Sequence, residues 1–222
     1  TQGCYYTNQL SLARKQGRIM PSIPRAALPV NTFWDIGKGD MTAIWLHQRV
    51  GLENRFIGYY EESGEDLDHF TQYLQSLGYT YGTHYIPHES AHKRIAKTQA
   101  ESRSIEDMLQ ELLPGHSFSV VPVTPSVTAG IQSVRNVFSS CYFDESKCDA
   151  GLKRLATYKK EWDKRNGCFK ARPVHDDASH GSDAFQQFGQ EADAGNVFPG
   201  GAVTISSTQG SRVRRRGSGM AV

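Results

Sequence analysis

No run of apolar residues in this chain approaches the ~20 positions that span a bilayer, so no membrane partner is expected. Cysteine is scarce: Cys4, Cys141, Cys148 and Cys168, with no C-x-x-C pair among them. That excludes a zinc knuckle, offers no disulfide framework, and fits a reducing cytosol. An excess of either charge is also missing. Lysine and arginine number 25 against 23 acids, a balance of +2 that neither demands nor excludes a polyanionic partner. The one Gly-Lys pair, Gly37-Lys38, has Thr32 and Gly39 where a Walker A loop needs Gly and Ser or Thr. A G-x-S-x-G elbow is not present.

What remains is a polar globular chain of 222 residues, 38% hydrophobic, enough for one ordinary domain with extensions. Charge is unevenly spread. Acids crowd 61–68, whereas bases crowd 147–172 and recur at Arg212, Arg214, Arg215 and Arg216. A basic face beside an acidic pocket suits an enzyme that cuts a polyanion; a solvated helix face and a solvated tail would read the same way. Cys4-Tyr5-Tyr6 and the residues after them read as the end of something longer, so an excised domain is expected.

Periodicity predicts the elements. Residues 7–17 read as a short amphipathic helix, and 20–30, with Pro21, Pro24 and Pro29, as an extended linker. Three strands follow at 31–36, 42–50 and 54–62, joined by turns at 37–40 and 51–54 into an antiparallel meander. Leu67, Phe70, Tyr73, Leu74 and Leu77 predict a helix over 65–77 that stops at Gly78. Residues 79–87 form a fourth strand, returned by that helix to lie parallel to the first. Then come a helix at 104–113, a strand at 118–123, a helix at 128–140, a brief packing contact at Tyr142 and Phe143, a basic helix at 146–164 and a last helix at 179–189. From 191 onward Gly, Ser and Arg give no periodicity, and a flexible tail is expected. Three antiparallel strands followed by alternating helix and strand is the order of the ribonuclease H-like fold, an α/β mixed sheet with helices on both faces.

An Asp in an apolar strand is costly to bury without a partner. Asp35, in Trp34-Asp35-Ile36-Gly37-Lys38-Gly39-Asp40-Met41-Thr42-Ala43-Ile44-Trp45, is therefore a candidate metal ligand; the alternative is a turn cap on the amides of Gly37 or Lys38. Asp40 is either a fourth carboxylate at the rim or the turn residue before the second strand. Glu89, in Tyr85-Ile86-Pro87-His88-Glu89-Ser90, is a ligand or an exposed helix-start acid, with Glu61 and Glu62 as rivals. Asp183, in Ser179-His180-Gly181-Ser182-Asp183-Ala184-Phe185, is a ligand or an exposed first-turn acid. In the expected fold the ends of the first and fourth strands bring Asp35 and Glu89 together, and a last helix delivers Asp183. Three such carboxylates suit a divalent-metal phosphodiesterase.

His180 lies on the face of Asp183, one turn earlier, as general base, leaving-group acid or plain structural residue. His175, Asp176 and Asp177 could orient ligands from behind. Lys38, Lys93, Arg94, Lys97 and Arg103, and the pairs Lys159-Lys160 and Lys164-Arg165, are candidates for sequence-blind contacts to a DNA backbone, or else simply face solvent. Leu152, Leu155, Tyr158 and Trp162 are read as core.

Four segments carry a more specific resemblance: Ala26-Ala27-Leu28-Pro29-Val30 with the Asp35 motif, His84-Tyr85-Ile86-Pro87-His88-Glu89, the stretch from Leu152 to Trp162, and His175-Asp176-Asp177-Ala178-Ser179-His180-Gly181-Ser182-Asp183-Ala184-Phe185. The chain resembles the C-terminal nuclease domain of the large terminase subunit of tailed bacteriophages. That resemblance implies a two-ion mechanism with Mg or Mn and cutting of concatemeric viral double-stranded DNA in the host cytoplasm as virions assemble. It implies Asp35, Glu89 and Asp183 as metal ligands with Asp40 as accessory. It also implies an ATPase domain of the same full-length protein, with residues 1–30 as its linker, 31–190 as the nuclease domain and 191–222 as a basic tail. The small terminase subunit and the portal are the implied partners. Two departures from the family pattern stand out: Glu89 where many relatives carry Asp, and Ser182 beside Asp183 where some carry two acids. A portal or capsid docking module with an idle site, and another ribonuclease H-like enzyme such as a resolvase or transposase, are the alternatives.

Overall fold

The computed structural model describes residues 2–24, 26–37, 40–92, 94–95 and 103–198. At its centre are three long strands, β2 (Val30–Asp35), β3 (Met41–Val50) and β4 (Glu53–Ser63), paired antiparallel as the alternating aromatic and β-branched residues predict. Helix α2 (Leu67–Ser76) begins where Asp66 accepts the amide of His69. It crosses back to β5 (Tyr81–Pro87), which pairs parallel to β2. Helix α4 (Ile105–Leu112), opened by a capping box between Ser104 and Asp107, leads to β8 (Ser117–Val121) beside β5. Among the described residues between β5 and α4 are α3 (Glu89–His92) and the two-residue strands β6 (Arg94–Ile95) and β7 (Arg103–Ser104).

The full sheet has seven strands in the order β1-β9-β4-β3-β2-β5-β8. Strand β1 (Ile19–Met20) and strand β9 (Cys141–Asp144) form the edge beyond β4. Neither is among the strands expected from periodicity. Tyr142 and Phe143 are part of β9, a strand too short to show a period, and it is held by parallel pairing on both sides. Residues 4–20, placed in the expected 1–30 linker, fold onto the domain. Helix α1 (Thr7–Lys15) and the residues before it bury Tyr6, Leu10 and Ala13, and Arg18 donates to the carbonyls of Phe138 and Cys141.

Period-two alternation splits the core into two layers. Trp34, Ile44 and Ile86 face α2 and α4. Phe33, Trp45, Phe56 and Phe143 face α5 (Val127–Val137), α6 (Glu145–Thr157) and α7 (Asp177–Asp193). The close approach of α6 and α7 depends on glycine. A Cβ on Gly151 would overlap the Trp45 and Tyr59 rings, and one on Gly181 would overlap the Tyr59 hydroxyl and the Arg154 stem.

The C-terminal third differs from expectation in two ways. The basic helix ends at Thr157 instead of running to 164, because Tyr158 turns extended and its carbonyl accepts the amide of Tyr5. The chain then forms an antiparallel hairpin, β10 (Lys160–Asp163) with β11 (Cys168–Pro173). Asp163 closes its turn by accepting the amides of Arg165 and Asn166, and Gly167 takes a positive φ of 60°. The last helix is longer than expected, running past 191 to Asp193. The expected tail falls, from residue 199 on, outside the described residues. No helix among the described residues is long and apolar enough to cross a membrane.

Candidate active site

Asp35 is the last residue of β2, on the α7 side of the sheet. Its carboxylate accepts from His180 Nδ1 at 3.0 Å, and its side chain is 23% exposed. Of the two amides a turn cap would use, that of Gly37 donates instead to Thr42 Oγ1 at 3.3 Å, and Lys38 lies outside the described residues. His180 is positioned by α7, whose first turn is capped by Asp176. Its Nε2 lies 3.4 Å from Asp40 Oδ2. The hydrogen bond to Asp35 raises the imidazole above its ordinary range; burial opposes this, and the charges of Asp35, Asp40 and Asp183 add to it.

Asp183 follows His180 by three residues and so shares its helix face. Gln186 donates to Asp183 Oδ1 at 2.8 Å, and the Tyr158 hydroxyl lies 3.4 Å from the same oxygen. Burial, then repulsion from Asp35, pushes the Asp183 carboxyl up to about 7. Ser182, beside it, is fully buried and its hydroxyl finds no partner, so an acid at that position would also lie in the core.

Glu89 stands at the start of α3, just past the end of β5, and is exposed. Asp35, Glu89 and Asp183 line one open cavity of about 380 Å³. Val121, Val123 and Val127 and the side chains of Gln186, Gln187 and Gln190 also line this cavity. The structure thus brings the three carboxylates singled out in the sequence to a shared space, with Asp40 linked to them through His180.

The rivals of Glu89 are placed differently. Glu61 lies in the cross-strand row Asp35–Ala43–Glu61, on the face of Asp35. It is fully engaged: Arg154 donates through two nitrogens to both of its oxygens at 2.8–3.1 Å, and the Tyr59 hydroxyl also donates to Oε2. Glu62 is exposed and alternates to the opposite face. Arg154 has no signature in the sequence, because nothing local in α6 marks it as the partner of a residue 93 positions away.

Of the candidate DNA contacts, Lys38, Lys93 and Lys97 lie outside the described residues, and Arg94 sits in β6. Arg103 pairs with Glu111 at 2.5 Å. Lys159, Lys160, Lys164 and Arg165 are exposed, but on the β10–β11 hairpin and its approach, not on a helix. The Asp163-Lys164-Arg165-Asn166-Gly167 turn is the sequence signal for this hairpin. Trp162, expected in the core, is 48% exposed and packs edge-on against Phe169, whereas Leu152, Leu155 and Tyr158 are buried as expected. The hairpin springs from the cavity rim, since Tyr158 before it and Pro173 and Val174 at its end all line the cavity.

No family model and no curated protein matches the sequence. Solved structures do match. The large terminase of a thermophilic bacteriophage, in complex with ATP-gamma-S, superposes with a TM-score of 0.58 at 16% identity, over 84% of this chain and 44% of that one. The nuclease domain of the P22 large terminase gives 0.58 at 12% identity, over 78% and 87%. The nuclease domain of the large terminase g2p of bacteriophage SPP1, with bound Mn, gives 0.55 at 13%, over 79% and 95%. At these identities the likeness is one of fold: this chain has the ribonuclease H-like mixed sheet of large-terminase nuclease domains, and it spans 44% of the thermophilic phage protein.

Proposed function

We propose that this chain is the nuclease part of a tailed-phage large terminase: a divalent-metal-dependent endonuclease that cuts concatemeric viral double-stranded DNA during genome packaging, by two-metal phosphodiester hydrolysis. The observation that supports this most is the meeting of Asp35, Asp183 and Glu89 on one open cavity, in a chain with the fold of large-terminase nuclease domains. In this reading the chain works with an ATPase domain of the same full-length protein, the small terminase subunit and the portal, in the host cytoplasm as virions assemble.

The donor set fits Mg or Mn. Carboxylates are hard oxygen donors, and two of them, Asp35 and Asp183, are held close enough for one to raise the other's pKa, a repulsion that a cation relieves. Asp35, Asp183 and Glu89 would hold the ions, with Asp40 at the rim. Bound divalent ions acidify a water and offset charge on the departing 3′ oxygen.

The remaining work falls to the chain itself. His180 keeps a proton on Nδ1 and donates it to Asp35, fixing that carboxylate's second oxygen. Gln186 and Tyr158 orient Asp183 from below. Arg154 and Tyr59 hold Glu61 out of the ligand set. Lys159, Lys160, Lys164 and Arg165 bind phosphates flanking the cut, without reading bases. The purified chain should nick supercoiled plasmid with Mn. Asp35→Ala should abolish this, and Glu61→Gln should leave it within a few-fold of wild type. Nicking that survives Asp35→Ala in clean protein rules the assignment out.

A further inference from the structure

Beside the carboxylates lies a second set of donors with different chemistry. Asp40, His175 and His180 each offer one ligand atom, and these three atoms lie within 4.8 Å of one another. The two imidazole rings meet edge-on, at a centroid separation of 5.7 Å and an interplanar angle of 62°. Each is held from behind through Nδ1: that of His180 donates to Asp35 at 3.0 Å, and that of His175 lies 3.2 Å from Ser179 Oγ. In both rings Nε2 is the nitrogen left over, and that of His180 is turned to Asp40 Oδ2 at 3.4 Å. Imidazoles fixed at one nitrogen by a carboxylate or hydroxyl, with the other nitrogen directed at a carboxylate, form the pattern that orients histidines for a metal.

We propose that Asp40, His175 and His180 form a binding site for a single first-row transition ion of the Zn or Co class, separate from the all-oxygen carboxylate site. Two nitrogens and one oxygen suit such ions and suit Mg poorly, because Mg keeps oxygen ligands and parts reluctantly with its waters. An open coordination sphere remains for water, since three protein ligands do not complete a tetrahedron. The site spans two parts of the fold: Asp40 precedes β3, and His175 and His180 bracket the start of α7. An ion there ties the β2–β3 turn to the last helix across the cavity rim. Its bearing on catalysis rests on the nuclease reading above; its existence does not.

The test is cobalt binding to the full 222-residue chain, with magnesium in large excess and no DNA present. Visible absorption and equilibrium dialysis should report one cobalt per chain. His175 is exposed, so its replacement leaves the core intact. His175→Ala should weaken cobalt binding by about tenfold or more. His175→Cys should restore binding with a new thiolate-to-cobalt band, and Asp183→Asn should retain it. Three results each overturn the proposal: no stoichiometric cobalt under magnesium, unchanged affinity in His175→Ala, or loss in Asp183→Asn alone. Because DNA is absent, a chain that binds cobalt but never nicks plasmid contradicts only the nuclease reading, and the reverse outcome contradicts only this site.

Discussion

Burial and the neighbouring Asp35 both disfavour a negative charge on Asp183. Its carboxyl moves from an ordinary 3.8 to about 7, so between those values the folded protein retains a proton that the unfolded chain has released. Unfolding free energy therefore falls as pH rises through that window. His180 acts in the same direction at higher pH: its raised imidazole stabilises the fold below about 6.5, and that contribution is lost as pH climbs through the folded value. Asp183→Asn should flatten the acidic part of this decline, measured as melting temperature from pH 4 to 8 in chelator; parallel profiles for variant and wild type would contradict it. At this scale Asp35 is legible in the sequence, because a carboxylate in an apolar strand requires a partner. The choice between Glu89 and Glu61 is not. Both close a β-rich run, and only packing shows that Arg154 and Tyr59 already occupy Glu61.

Helices α6 and α7 reach the sheet through glycines, and Gly151 is the tighter test. Trp45 cannot swing away from an added methyl, because Phe56, Phe143 and Phe185 pack around its ring. Gly151→Ala should therefore cost about 1–3 kcal/mol of stability in denaturant unfolding, the usual penalty for overpacking; a neutral result would mean that α6 shifts freely. The hairpin makes its own prediction. Replacing Lys159, Lys160, Lys164 and Arg165 by Ala should weaken DNA binding equally for all sequences. By anisotropy across a salt series, the slope should drop by about 0.9 for each phosphate no longer neutralised. An unchanged slope would take the hairpin out of the interface. These bases are visible in the sequence, but their element is not. Leu152, Leu155 and Tyr158 carry a helical period up to the chain's sharp turn at 158, and that period masks the weaker Asn166-Gly167 turn signal beyond it.

Over the whole molecule, the site exists only because three distant segments converge. Asp35 comes from the end of β2, Glu89 from just past the end of the adjacent parallel strand β5, and Asp183 from the last helix. A divalent ion that binds the ionised carboxylates must displace the Asp183 proton at low pH. Mn should therefore raise the melting temperature more at pH 8 than at pH 5, by calorimetry; an equal shift at both would place the ion elsewhere. The sequence by itself determined the meander, the return of the fourth strand and the alternation that aims Asp35 at one layer of the core, since these follow from periodicity and turn chemistry within short windows. Tertiary structure alone decided the short strands β1 and β9, the break of α6 at Tyr158, the capture of Glu61 by Arg154 and the grouping of Asp40 with His175 and His180. Each of these depends on partners far along the chain, whose pairing no local pattern records.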